Sequence, residues 1–457
     1  MKHHYFRILL TMLMSIANAY VLAESFSIDG ITYEVISSSE VALTSANKNV
    51  INVVIPSQVT NGSKNYDVVS IGAKAFYECR DMTSITLPNT IKIIGKEGFR
   101  RCSSLTSITI PEGIKEIRDD TFRGCESLTS FIIPKSVETI GNRAFQACYG
   151  LLSITIPDNV TTLLDNAFCN CSKLSTINIG NGLTKIGTGA FSGCKELTSV
   201  FLPDCITFIG NEAFQDCSSL KTINIPNGVT TINNKTFSGC NNLSIFPINE
   251  NVTTIGSNAF YKCNSFTSLT IPQNVTTIYG YAFYGCKGLT SVTILNSEID
   301  LGRAFEECTS LQQVEFHCKE IGSSWFCDYE TISKIIIGKE VNTIKDNAFY
   351  NCRLTDVYCY AESVPHTGSF GFKNVSLENV SLHVPESSIY AYQTTEPWRK
   401  FGKFVALTEQ ELSIESVRKD DSDVEYYQLN GLKSFKPKHG LNIIRAKDGK
   451  TKKVLVR

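Results

Sequence analysis

Apolar residues recur along this chain with a period that neither a helix nor a strand produces. Phe76, Phe99, Phe122, Phe145, Phe168, Phe191, Phe214, Phe237, Phe260 and Phe283 stand at one constant interval, and a cysteine follows each of them at the third position, from Cys79 to Cys286. Phe305 with Cys308 arrives one position early, and Phe349 with Cys352 two looser coils later. Trp325 and Phe326 mark the degenerate coil between them, and either Phe370 or Phe372 opens one more. From Phe99 to Phe122 the apolar positions are Phe99, Cys102, Leu105, Ile108, Ile110, Ile114 and Ile117. No single helix or strand keeps that set on one side, whereas a chain that winds once around a core does. Leu105 to Pro111 alternates as a half-buried strand should, and Pro111 ends it because proline has no N–H for a sheet ladder. The run Lys96 to Cys102 predicts one or two helical turns that close on the core through Phe99 and Cys102. One coil buries little by itself, but stacked coils share a continuous core. Each buried Phe or Leu is then worth roughly 1.5–3 kcal/mol.

These residues carry a family resemblance. The unit Cys-x-x-Leu-x-x-Ile-x-Ile-Pro, followed by Val/Ile-x-x-Ile-Gly-x-x-Ala-Phe, resembles the BspA-like leucine-rich repeat of bacterial surface proteins. Ile140-Gly141-Asn142-Arg143-Ala144-Phe145 and Ile209-Gly210-Asn211-Glu212-Ala213-Phe214 match it closely. The predicted fold is therefore a repeat solenoid of leucine-rich-repeat type over residues 69–355, with one short strand and a short helical turn per coil. Two coils depart from the pattern and predict kinks in the sheet. One reads Ile245-Phe246-Pro247-Ile248, with its proline displaced, and the other has Asn296 where the proline should be.

The flanks read differently. Residues 1–23 carry Lys2 and Arg7, a mostly apolar run Ile8–Ile16, and small residues at Ala17, Ala19 and Ala23, the pattern of an export signal. Residues 24–68 predict a β-rich cap, with a hairpin about Asp29-Gly30 and a second strand pair around Val50–Ile55 and Tyr66–Ile71. Residues 356–407 predict a closing cap with a short helix near Ser387–Gln393 and with Trp398 and Phe401 over the last coil. Residues 408–423 read as a linker, and residues 424–457 as a small β tail. That tail, with Gly440-Leu441-Asn442-Ile443 and Lys453-Val454-Leu455-Val456, resembles the sorting domain of the type IX secretion route. It departs from that family at Leu432-Lys433, where the family tends to show Arg.

Charge and chemistry narrow the function by exclusion. Among 457 residues, 43 basic and 44 acidic side chains leave a formal charge of −1, which offers nothing to phosphate backbones or anionic lipid. No later apolar run is long enough to span a membrane. Seventeen cysteines in an exported chain suggest a disulfide framework, but a cysteine at one coil position is more simply a small residue beneath the phenylalanine. Buried free thiols are expected there, and one or two bridges among the off-column Cys169, Cys205, Cys318, Cys327 and Cys359 stay open. Metal spacings, nucleophile elbows and phosphate loops are missing. His317, Cys318 and Cys327 form the only cluster worth naming, and a degenerate coil accounts for them. No catalysis, cofactor or metal is expected. The sequons at Asn159, Asn251 and Asn274 suit a turn after proline.

The outward positions of the strands remain as the candidate site: Thr86, Thr109, Ile132, Thr155, Asn178, Phe201, Asn224, Thr270 and Thr293. They make a ribbon of hydroxyls and amides interrupted by Ile132 and Phe201, although Ser and Thr also simply suit a solvated sheet. The expectation is an exported cell-surface or secreted protein, adhesin-like, that binds a protein or glycoprotein ligand on this face. The alternative is a structural component of an envelope or glycan-uptake assembly. Neither reading decides the oligomeric state.

Overall fold

The computed structural model describes residues 24–244, 248–409, 411, 424–427, 433–434, 440–446 and 451–456. The expected export signal at 1–23, the displaced Pro247 and most of the expected linker lie outside the described residues. The chain forms two compact units. One runs to Thr290 and includes Glu298–Leu311; the other holds Ser291–Ser297 and the residues from Gln312 onward.

In the first unit most of the predicted strands form and pair in parallel; in the segment of Ile132 only an isolated bridge from Ser130 to Ser153 forms. Ser153–Ile156 matches Thr176–Ile179 residue for residue, and Ser84 pairs with Ser107. Alternation decides their faces: in Ser153–Ile156 the two isoleucines are buried and Ser153 and Thr155 are exposed. A second ladder, not expected from the sequence, runs along two-residue steps that end in Ile or Leu. Glu116–Ile117, Thr139–Ile140, Thr162–Leu163, Lys185–Ile186 and Phe208–Ile209 make five parallel rungs, and Thr231–Ile232, Thr254–Ile255 and Thr277–Ile278 make three more.

The helical turn expected around each phenylalanine does not form. Alternate N–H groups there bond forward to the next coil instead of back along their own: Lys74 to the Lys96 carbonyl, Phe76 to Gly98 and Glu78 to Arg100, at 2.8–3.0 Å. The N–H groups between them close tight turns, Tyr77 to Lys74 and Cys79 to Phe76. Such a path needs left-handed backbone two residues before and two after the phenylalanine. Glu97 and Arg101 (φ 60° and 63°) and Asn166 and Asn170 (57° and 62°) adopt it. A helix has no room for either feature, since its N–H groups are committed four residues back and its φ angles are all negative.

Phenylalanine rings stack along the first unit at centroid separations of 5.0–5.7 Å and interplanar angles of 2–16°. The cysteines do more than fill space. Cys102 donates its thiol to the Phe76 carbonyl at 3.1 Å, and Cys125 and Cys148 do the same to Phe99 and Phe122 at 3.2 Å. Each of those carbonyls also takes the cysteine N–H of its own coil, as Phe76 takes that of Cys79 at 3.1 Å. Both lone pairs of a buried carbonyl are thereby used. All seventeen cysteines are free thiols, of which only Cys205 and Cys327 are not fully buried. Burial pushes the column thiols from Cys79 to Cys263 up, to about 12 at Cys125, so thiolate, the reactive form, is scarce there. Ellman's reagent should therefore titrate two thiols in the native protein and seventeen in denaturant. A native count well above two would mean that the column breathes.

The N-terminal hairpin forms as expected, Ser25–Ile28 against Ile31–Val35, with positive φ at Asp29 and Gly30 (50° and 78°). The second pair is different. Lys64–Ile71 pairs antiparallel with Gln58–Asn61 around Gly62 and parallel with Glu40–Ala46. Asn52–Val54 instead pairs parallel with Ser84–Thr86. It belongs to the repeat sheet because Val53 and Ile55 point inward and Val54 outward, as in a coil strand.

In the second unit, Ser291–Ile294, Gln313–Phe316, Lys334–Ile337, Asp356–Cys359, Ser381–Val384 and Lys403–Ala406 pair in parallel, each with the next. The pairing beside Asn296 is unbroken, with all four residues of Ser291–Ile294 in register. Phe372, not Phe370, continues the column, 5.5 Å from Phe349; Phe370 is exposed. A helix over Ile389–Thr394 and the buried Trp398 and Phe401 follow. In the tail, Lys433–Ser434, Val424–Tyr427, Gly440–Ala446 and Thr451–Val456 form an antiparallel sheet in that order.

Candidate binding surface

The outer face of the strands in the first unit carries the candidate residues in one column, because each coil sets its strand in register on the one before. Thr86, Thr109, Thr155 and Asn178 are exposed. Ile132 and Phe201 stand far out of the surface, 83% and 73% exposed. The column also holds a residue that sequence reasoning missed. Val54 pairs with Thr86 and is 73% exposed. The sequence does not mark it, because Val53-Val54-Ile55 are all apolar and precede the first phenylalanine of the series; only the structure turns Val54 outward.

Three candidates are less available. Asn224 is half-buried, its amide nitrogen donating to the Leu202 carbonyl and its oxygen accepting the Leu202 N–H, both at 2.7 Å. It splices two strands where the ladder of main-chain bonds stops. Thr270 and Thr293 are half-buried, and Thr293 belongs to the second unit. Asn178 reaches Thr155 Oγ1 at 3.4 Å, leaving most of the polar capacity of both to solvent or a ligand.

The outer face of the second unit has a different chemistry. His383 stacks on Tyr358 at 4.1 Å, and its Nε2 lies 3.2 Å from Asp356 Oδ1. Lys334 Nζ sits 4.4 Å from the Tyr358 ring centre, and His317 Nε2 lies 2.6 Å from Glu315 Oε1. Burial, then the charges of Asp356 and Glu411, push the Tyr358 hydroxyl up. Glu411 is held below the usual carboxylate range, first by the Thr408 N–H that it accepts. Sequence separation hid this cluster: Tyr358 and His383 lie on different strands and meet only because the coils stack in register. His317, Cys318 and Cys327 do not form a site. Cys318 is buried, with its thiol on the Glu320 carbonyl at 3.3 Å, and Cys327 turns to Asp328. Among the described residues no group of three His, Cys, Asp or Glu could hold a metal.

Parallel coils, a buried phenylalanine column and an exposed strand face define a leucine-rich-repeat solenoid. Residues 69–198, 184–312 and 300–395 match the BspA-type leucine-rich repeat, and the chain belongs to that family. It is similar in structure to a leucine-rich repeat protein from Bacteroides ovatus, with 27% identity, a TM-score of 0.59, and 84% of this chain and 100% of that one covered. A leucine-rich cell surface protein from Faecalibacterium prausnitzii matches at 22% identity and a TM-score of 0.42, covering 85% of this chain and 97% of that one. None of the curated proteins matches.

Proposed function

We propose that this chain is an exported surface or secreted protein that binds a protein or glycoprotein ligand, in the manner of an adhesin, on the strand face of its first unit. The observation that carries this is the exposure of Val54, Ile132 and Phe201 on a column of otherwise small polar residues. Large apolar side chains held out on a solvent-facing column are the usual anchors of an interface, while the threonines and Asn178 supply hydrogen bonds around them. The family and the N-terminal pattern of residues 1–23 support export. Among the described residues no helix is long and apolar enough to cross a membrane. The resemblance of the tail to a type IX sorting domain supports delivery by that route.

The test is a biosensor screen of the purified protein against matrix glycoproteins and mucins. A parallel variant carries Thr109→Lys, Thr155→Lys and Phe201→Ala. Loss of one anchor and a new charge at two exposed positions should weaken binding by about 2 kcal/mol or more, some thirtyfold, with the unfolding midpoint unchanged. Equal binding by parent and variant would move the ligand off this face. Binding to envelope proteins of the source cell alone would favour a scaffold role instead.

A further inference from the structure

The turn that leads to Phe283 differs from the turn before it at one crowded position. Four residues before the phenylalanine, most coils of the first unit carry glycine, among them Gly141, Gly187, Gly210 and Gly256. Sterics explain it: a Cβ at any of these four would lie 2.6 Å from main-chain atoms of the coil before. Tyr279 occupies that place in the coil of Phe283. Its N–H still bonds the Ile255 carbonyl at 2.9 Å, as the Gly256 N–H bonds Ile232 at 2.7 Å, so the ladder keeps its register. The turn gives way one residue later. Asn258 N–H reaches the Gly280 carbonyl at 3.4 Å, where the equivalent bond from Lys235 to Ser257 is 2.9 Å. The Tyr279 ring is left 54% exposed.

Beside the ring lies an open recess of about 410 Å³. Its floor is the bare Gly256, and Thr231, Thr254, Asn233, Asn234 and Ser257 line the rest. None of these groups is charged. Thr231 and Thr254 are register partners, so their hydroxyls repeat at about 4.8 Å along the stack. Asn234 spends its side-chain oxygen on the Ser257 N–H at 2.8 Å; among the described residues its Nδ2 has no protein acceptor. Lys235 nearby is neutralised by Glu212 at 3.1 Å. An aromatic wall next to uncharged donors and acceptors suits a ligand with one C–H face and a rim of hydroxyls. It offers nothing to offset the desolvation of an ionised ligand.

We propose that this recess is a subsite for a neutral hexose or N-acetylhexosamine unit of a glycan. The sugar's C–H face lies on the Tyr279 ring, and its hydroxyls meet Asn234 Nδ2, Thr231 and Thr254. Free polysaccharide and glycoprotein both present such units. None of these residues is on the outer strand face, so the subsite does not depend on the reading of that face.

The protein is screened on an array of neutral oligosaccharides of glucose, galactose, mannose and N-acetylglucosamine, with sialylated and sulfated counterparts and a proline-rich peptide alongside. Hits are then titrated by calorimetry. Binding should be confined to neutral sugars, weakened at least about tenfold in Tyr279→Gly and kept within about threefold in Tyr279→Trp. Tyr279→Gly restores the residue of the preceding coil, Gly256, so it should fold at least as well as the parent, and its unfolding midpoint checks this. Phe201→Ala should leave sugar affinity unchanged, which separates this subsite from the strand face. A glycoprotein probe before and after glycan removal distinguishes the sources: equal affinity for the free oligosaccharide and the glycoprotein means that the sugar alone is read. Tighter binding to the glycoprotein that is lost with its glycan also supports the subsite. The absence of neutral-sugar binding, full affinity in Tyr279→Gly, or binding of the peptide alone would overturn it.

Discussion

Phe168→Ala is expected to lower the free energy of unfolding by about 3–5 kcal/mol. The ring is fully buried and stacked between Phe145 at 5.0 Å and Phe191 at 5.6 Å, within 3° of parallel to both. Cavities are costly in proportion to how poorly the surroundings can collapse into them, and here the main chain cannot follow. The Phe168 N–H is fixed to the Ala190 carbonyl at 2.8 Å, and its carbonyl holds the Cys171 N–H at 3.2 Å and the Cys194 thiol at 3.4 Å. Because a repeat array is stabilised through nearest-neighbour interfaces, removing one ring weakens two of them at once. Urea denaturation followed by circular dichroism reads the loss as a fall in midpoint. Thr155→Ala, on the exposed face, is the comparison and should stay within about 0.5 kcal/mol of the parent. A loss below about 1 kcal/mol for Phe168→Ala would mean that the column is not the core.

How far this fold can be read from its sequence depends on which partner a residue needs. The coil and its strand are legible because Phe99, Leu105, Ile108 and Ile110 must all reach one core, and burial follows the side chain's own chemistry. The turn at Phe99 is not legible in the same way. Phe99 and Cys102, three apart, suit a helical turn and a pair of tight turns equally. The deciding bonds, such as Phe76 N–H to the Gly98 carbonyl, go to the neighbouring coil, beyond the reach of any local pattern. A signal was nonetheless present. In three coils the two left-handed positions are filled by residues that tolerate positive φ: Gly189 and Gly193, Asn166 and Asn170, and Asn347 and Asn351; others, such as Glu97 and Arg101, carry no such mark. Candidate surface residues were legible as far as alternation reaches. What alternation cannot show is engagement, as with the Asn224 amide, or juxtaposition across coils, as with Tyr358 and His383. Tyr279 is an intermediate case. Its break with the glycine column is visible in the sequence, but the recess beside it exists only once Gly256 and Asn234 are stacked below.

Trp398→Ala should be as damaging to the second unit as the loss of Phe168 is to the first, at about 3–5 kcal/mol. The indole is fully buried at the junction of three aromatic neighbours: Phe372 at 5.5 Å and 73°, Tyr392 at 5.2 Å and 84°, and Phe401 at 5.8 Å and 16°. Its Nε1–H donates to the Pro365 carbonyl at 3.1 Å. Ring packing and that bond can be separated, because Trp398→Phe keeps most of the first and removes the second. Leaving the buried carbonyl without its donor costs about 1–3 kcal/mol, so Trp398→Phe should fall between parent and alanine. Closing elements protect the last coil of an array from solvent, and Trp398 links the Ile389–Thr394 helix, through Tyr392, to the Phe372 coil. Its loss should therefore expose the chain between Phe372 and Lys403 to limited proteolysis well before global unfolding. Equal protease resistance in Trp398→Ala and the parent would show that the segment is held by its strand pairing, Ser381–Val384 against Lys403–Ala406, and that the indole only fills a gap.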